Sequence, residues 1–207
     1  MLIICLGPDS YRALTKAKEL EKAFIEKHDS RAMSVERIEK GSATTDALIE
    51  RVNTPSLFSS KRFIRVSDLL QDCPKLKQKS LIQALNQDPE HIIVVSVERE
   101  SLTEASIKLF STVTKYISYD FPIMSGKEFL SWSLQMAARV GVTNQVWVEQ
   151  LAKSITGDSW QMMQELCKCA AGAEPTGIDA FIEPTIFQYA EAFLRETAAQ
   201  RVYLNDE

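Results

Sequence analysis

Three groups of residues in this 207-residue sequence have types and spacings that could do chemistry. The first is Gly7-Pro8-Asp9-Ser10-Tyr11-Arg12, directly after the apolar run Leu2–Leu6. A strand, a glycine turn and a helix are the layout with which α/β domains hold nucleotide phosphates. That chemistry needs several backbone amides to cradle phosphate, a lysine for the terminal phosphate and a Ser/Thr for magnesium. Here there is one glycine and no Gly-Lys-Ser/Thr. Pro8 removes an amide and Asp9 repels phosphate, so Gly7, Pro8, Asp9 and Ser10 read as a degraded phosphate loop that binds no cofactor. The second group is acidic. Asp68 and Asp72 follow a strand and read as a solvated loop, and Glu98-Arg99-Glu100 closes another strand as a weak match to a magnesium site. The third comprises Cys5, Cys73, Cys167 and Cys169 with His28 and His91. Their spacings fit no zinc pattern, and Cys167 and Cys169 point to different helix faces, so no metal is expected. No nucleophile elbow or catalytic residue stands out.

The most informative stretch is not catalytic. In Thr54-Pro55-Ser56-Leu57-Phe58-Ser59-Ser60-Lys61-Arg62, Thr54 can cap a short helix and Pro55 suits its first turn. Neighbours on a helix lie about 100° apart, so Leu57 and Phe58 do not both face one core. Spacing alone leaves two arrangements: Phe58 as an ordinary core residue at a helix end, or an outward Leu-Phe plug. Burying such a plug in a partner would contribute roughly 1.5–3 kcal/mol per side chain, on the scale of an interface hot spot.

The elements that must position these residues follow from periodicity. Strands are expected at Leu2–Leu6, Met33–Ile38, Phe63–Val66, His91–Val97 and Tyr116–Phe121. Helices are expected from Asp9 or Ser10 to about Lys27, and at Thr44–Val52, Lys75–Asn86 and Leu102–Val113, with a helical turn at Pro55–Lys61. This alternation over residues 1–124 predicts an α/β domain with a mainly parallel sheet and helices on both faces. Helices at Lys127–Val140, Gln145–Ile155 and Ser159–Cys169 then predict a small all-helical domain over 125–172. Residues 173–207 read as a loop followed by an amphipathic helix at Thr185–Thr197.

Charge constrains the partners. The net charge is -4. Residues 1–124 carry eighteen basic and seventeen acidic side chains, and 125–207 carry six and eleven. Neither half has the basic footprint of a phosphate-binding surface, so DNA is expected to be held mainly by a partner. The apolar start lacks a basic leader and a cleavage site, and no run is long enough to span a membrane. With scattered thiols this points to a reducing cytoplasm.

In this order the motifs resemble a known family, the delta subunit of the bacterial DNA polymerase III clamp loader. The resemblance rests on Gly7-Pro8-Asp9-Ser10-Tyr11 after a strand, and on Ser56-Leu57-Phe58-Ser59-Ser60-Lys61-Arg62 running into Phe63-Ile64-Arg65-Val66. It continues through the helix and Gly-hydrophobic step of Phe129–Gly141, and through Gly157-Asp158 with Trp160 and Glu165-Leu166. It spans roughly residues 1–170. It implies an AAA+-like fold without ATP hydrolysis. It implies that Leu57 and Phe58, flanked by Ser56, Lys61 and Arg62, enter the hydrophobic pocket of the sliding clamp (beta subunit) and help open the ring. Other clamp-loader subunits would hydrolyse ATP. Two features depart from the family. Pro55 stands where an apolar residue is common, and 173–207 covers only the opening of the family's helical collar domain. An ATP-binding enzyme of the same fold and a DNA-binding adaptor are the alternative readings.

Overall fold

The computed structural model describes residues 1–29, 31–39, 44–54, 61–88, 90–98 and 102–173. The chain divides into two compact units, Met1–Met124 and Ser125–Glu207.

The first unit is built on β1 (Leu2–Leu6), β2 (Val35–Ile38), β3 (Arg62–Ser67), β4 (Ile92–Glu98) and β5 (Tyr116–Asp120). All pairings are parallel, and the strand order is β2-β3-β4-β1-β5. Four helices accompany them: α1 (Ser10–His28), α2 (Thr44–Asn53), α3 (Lys75–Gln87) and α4 (Glu104–Phe110). The near-continuous apolar runs of β1 and β4 are explained by burial on both faces. Alternate residues of β1 go to opposite sides. Leu2 and Ile4 join Leu48 and Val52 of α2, Leu81 and Leu85 of α3, and Phe110 of α4. Ile3 and Cys5 join Ala13, Ala17 and Phe24 of α1. Burial pushes the Cys5 thiol up to about 12, which leaves it an inert core residue.

This division of helices has a topological cause. The chain leaves β1 toward β2 in one direction and returns through β3 and β4 to β5 in the other. Crossovers of one handedness then place α1 on one face and the later helices on the opposite face. The reversal point lies between β1 and β4, and it is where open α/β sheets form their binding crevice.

The second unit contains α5 (Gly126–Val140), α6 (Gln145–Ser154) and α7 (Ser159–Ala170). Phe129, Met136, Val148, Leu151, Met162 and Leu166 form its interior. Its helix ends carry the expected local chemistry. Gly141 takes the left-handed conformation, and the Val142 amide donates back to the Ala137 carbonyl, closing α5. Asn144 caps α6, and Asp158 caps α7 by accepting from the Gln161 amide at 2.9 Å. No described helix is long and apolar enough to cross a membrane.

Most element ends agree with the sequence reading to within one or two residues. The exception is α4, which is shorter than the expected Leu102–Val113. Thr103 caps its start, accepting from the Ser106 amide, while the Ser111 and Thr112 hydroxyls donate to carbonyls three residues back and end it. The helix expected at Thr185–Thr197, with the possible collar segment, and most of the turn at Pro55–Lys61 lie outside the described residues.

Glu98, at the end of β4, is a fully buried carboxylate. It accepts from the Ser96 hydroxyl at 2.5 Å, the Leu70 amide at 2.8 Å and the Gln71 amide at 3.3 Å. Burial raises its pKa above the usual glutamate value of 4.5 in spite of these donors. A folded state that holds this proton more tightly than the unfolded chain loses stability as pH rises from 4.5 through the raised value. Denaturation of wild type and Glu98→Gln over pH 4–8 should therefore show wild type losing ground to the variant above about pH 4.5, no more steeply than one proton allows. A pH-independent difference between the two would contradict the raised value.

Candidate functional site

The sheet has two ends, and the sequence-predicted site residues fall on both. The first turn lies at the carboxyl end of β1, beside the reversal point. Here the donors that a phosphate would need are already engaged. The Gly7 amide donates to the Glu98 carbonyl at 3.3 Å and the Asp9 amide to the Phe121 carbonyl at 3.1 Å. The Ser10 amide donates to the Pro8 carbonyl at 3.0 Å, and Pro8 has no amide. The buried Asp9 carboxylate sits at the N-terminus of α1, accepting from the Arg12 amide at 3.1 Å and from Arg12 Nε at 2.7 Å. A helix N-terminus attracts an anion; in this protein the anion is the chain's own side chain. Arg12 spans from Asp9 to the Pro122 carbonyl and lies over the Phe121 ring, 5.7 Å from its centroid. Gly7, Pro8, Asp9 and Ser10 are thus brought together, but into a closed turn.

Asp72 is exposed, as a solvated loop residue should be, but Asp68 and Glu98 are placed differently from their sequence reading. Asp68 is buried, with only 1% of its surface exposed, and is not a solvated loop residue. It adopts a left-handed backbone (φ 51°), and its amide donates to the Val97 carbonyl at 2.9 Å. That bond folds the turn after β3 back under β4. Glu98 belongs to β4 itself, and its carboxylate ties down the same turn through Leu70 and Gln71. The sequence signal for this was the length of the β4 run, which continues one residue past Val97. Among the described residues, no group of three or more His, Cys, Asp or Glu is placed to hold a metal ion.

At the other end of the sheet lie Thr54 and Lys61, the described residues on either side of 55–60. Ser56, Leu57 and Phe58 lie outside the described residues, which stop at Thr54 and resume at Lys61. Both flanking residues are at the amino end of β3. The first turn, at the carboxyl end of β1, is therefore about 16 Å away, the span of a five-residue strand. Lys61 is half-buried, and its charge is felt by both His28 and Glu90. The Glu90–Lys115 ion pair and the His91–Asp88 contact at 2.7 Å line the same end.

Arg62, which flanks the Leu57–Phe58 pair in the sequence, is 7% exposed and turned inward. Its guanidinium donates to the Thr54 carbonyl, to the Arg51 carbonyl and to Glu36 Oε1, the last at 3.1 Å. The reason is register. Arg62 opens β3, its amide donates to the His91 carbonyl at 2.8 Å, and its side chain meets the bare carbonyls at the C-terminus of α2.

The closed turn generates a stability prediction. Gly7 has φ +136°, and a Cβ there would lie 2.7 Å from the Phe121 carbonyl carbon and overlap its oxygen. Gly7→Ala should therefore destabilise the protein by about 2 kcal/mol or more, read as a lowered denaturation midpoint. A midpoint equal to wild type would mean that β5 does not cross over this turn.

The family model for the DNA polymerase III delta subunit matches residues 4–119, more than half of the chain. No curated protein matches the sequence. Among solved structures, the chain is similar in fold to the Bacillus subtilis DNA clamp loader delta protein YqeN. That similarity has a TM-score of 0.54 at 15% identity and covers 82% of this chain and 53% of that one. A DNA polymerase III gamma subunit-related protein from Thermotoga maritima matches with a TM-score of 0.47 at 16% identity, over 81% of this chain and 53% of that one. A structure of Drosophila ORC bound to DNA matches with a TM-score of 0.47 at 10% identity, over 97% of this chain and 62% of that one. The chain spans about half the length of the Bacillus protein. The family resemblance read from the motifs is thereby confirmed, as is an α/β fold with a parallel sheet. By the family match over residues 4–119, this chain belongs to the DNA polymerase III delta subunit family.

Proposed function

We propose that this chain serves DNA replication as a clamp-loader subunit that grips a sliding clamp through Leu57 and Phe58 and helps open it, without hydrolysing ATP itself. The observation that carries the reading is the family match, which runs through the Ser56–Arg62 motif. Geometry supports it from two sides. The described residues on either side of 55–60, Thr54 and Lys61, lie at the amino end of β3, away from the reversal point. At the reversal point, the amides and the helix terminus that would receive a phosphate are held by Glu98, Phe121 and Asp9. A protein with this fold and that turn acts on a partner by binding it.

The partners that go with this role are the sliding clamp and the other clamp-loader subunits, with DNA held mainly through them. Its place of action is the cytoplasm. Opening a ring requires that binding energy be concentrated on the open form, since a ligand shifts an equilibrium only by its differential affinity for the two states. Two apolar side chains entering one pocket supply such a concentrated contact.

The test is a titration of the full chain against a bacterial sliding clamp. Leu57→Ala combined with Phe58→Ala should weaken binding by about two orders of magnitude or more while leaving the melting temperature unchanged. Equal binding by this variant and wild type would end the proposal. Micromolar ATP binding in calorimetry would instead favour an ATP-dependent enzyme. Tight, salt-sensitive duplex binding by the isolated chain would favour a DNA adaptor.

A further inference from the structure

We infer that Arg62 is a positioning residue for the Leu57–Phe58 segment, clasping both of its ends to the sheet; the inference rests on the clamp-binding reading above. Residues 55–60 join Thr54, at the end of α2, to Lys61, before β3. One guanidinium connects the two sides. Its parent residue is fixed in β3 by a backbone bond to His91, and its Nη atoms donate to the Arg51 carbonyl of α2 and the Thr54 carbonyl just after it.

Three physical features make this a clasp and not a chance contact. The last carbonyls of a helix have no intrahelical partner and carry its partial negative charge, so a cation there satisfies both needs. Arginine's planar fork reaches several acceptors at once, which a lysine head does from a single point. Glu36 then holds the fork from behind. It accepts from Arg62 at 3.1 Å and lies 3.5 Å from the Arg51 guanidinium, so β2, α2 and β3 meet at one carboxylate. Thr54 reinforces the helix end, donating from its amide and its hydroxyl to the Glu50 carbonyl at 3.0 and 2.8 Å. Thr54 and Lys61, the described residues on either side of 55–60, are therefore tied together through one side chain.

Such a clasp lowers the entropy that the segment loses on docking, and its removal should appear as weaker clamp binding. The experiment compares full-chain wild type, Arg62→Gln, Arg62→Lys and the Leu57→Ala/Phe58→Ala variant for affinity to a bacterial sliding clamp. Melting temperature and amide hydrogen exchange are measured in parallel. Arg62→Gln should weaken binding about tenfold and speed exchange in α2's last turn and residues 55–61, with β1 and β4 still protected. Arg62→Lys should fall between, and it alone decides the outcome should the glutamine variant not fold. Unchanged affinity in the Arg62 variants, beside lost binding in the Leu57/Phe58 variant, would overturn the clasp and leave the clamp-binding reading intact. Exchange rising across the whole first unit would likewise overturn it, by making Arg62 a general stability residue. Full binding by the Leu57/Phe58 variant would instead remove the reading on which the clasp rests.

Discussion

Gly7 lies against the Phe121 carbonyl, and much of the domain's chemistry follows from that close approach. β1 is the strand at which the connection direction reverses, so its carboxyl end opens onto the crevice where α/β sheets ordinarily bind ligands. In this protein the chain leaving β5 crosses that crevice. The Phe121 amide donates to the Leu6 carbonyl at 2.8 Å, and the Phe121 carbonyl takes the Asp9 amide in return. Two backbones at that separation leave no volume for a side chain on Gly7. Asp9 completes the closure by supplying the negative charge that α1's N-terminus attracts, and Arg12 compensates the carboxylate. Each step uses a group that a nucleotide site would need free.

Closure at one end gives the other end its significance. The motif that distinguishes the family in this sequence lies between α2 and β3, where a parallel sheet presents the amino ends of its strands. That end is polar and charge-paired among the described residues: Lys115 with Glu90, His91 with Asp88, and Arg62 with Glu36. Under the proposed function, an apolar pair offered beside such polar groups would gain more from a partner pocket than from water. This asymmetry between transfer energies is the ordinary origin of a hot spot ringed by polar contacts.

Much of this was legible in the sequence, and for identifiable reasons. The β4 run Ile-Ile-Val-Val-Ser-Val permits only a strand buried on both faces, and the Gly141 and Asp158 stops mark helix ends through cap geometry that neighbouring residues largely decide. Pro8 and Asp9 announced a turn that lacks one amide and carries its own anion, because an absent amide and a fixed charge are properties of residue type. What sequence could not give was where long polar side chains turn. Lys61 and Arg62 look alike in a string, yet the β3 register sends one guanidinium inward to α2. Asp68 looked like loop polarity, but its burial depends on a left-handed residue and on a bond to Val97, twenty-nine positions away. Such placements are decided by tertiary pairing, to which local periodicity is blind.

Three of the buried ionisable groups of the first unit share a further property. Asp9 caps the start of α1, Arg62 closes the end of α2, and Glu98 binds the two amides of the turn after β3. Each is anchored in or beside a strand end, and each takes as partner the backbone of an adjoining element. Burying a charge is costly, and an apolar substitute of equal volume often gives equal stability. An apolar side chain, though, slides along its neighbours with little penalty, whereas a carboxylate between two amides has one low-energy position. Buried charge in this sheet therefore contributes registration more than stability. It holds the ends of connections between elements, and Arg62, whose acceptors Arg51 and Thr54 lie just before residues 55–60, is the case in which that registration bears most directly on the proposed function.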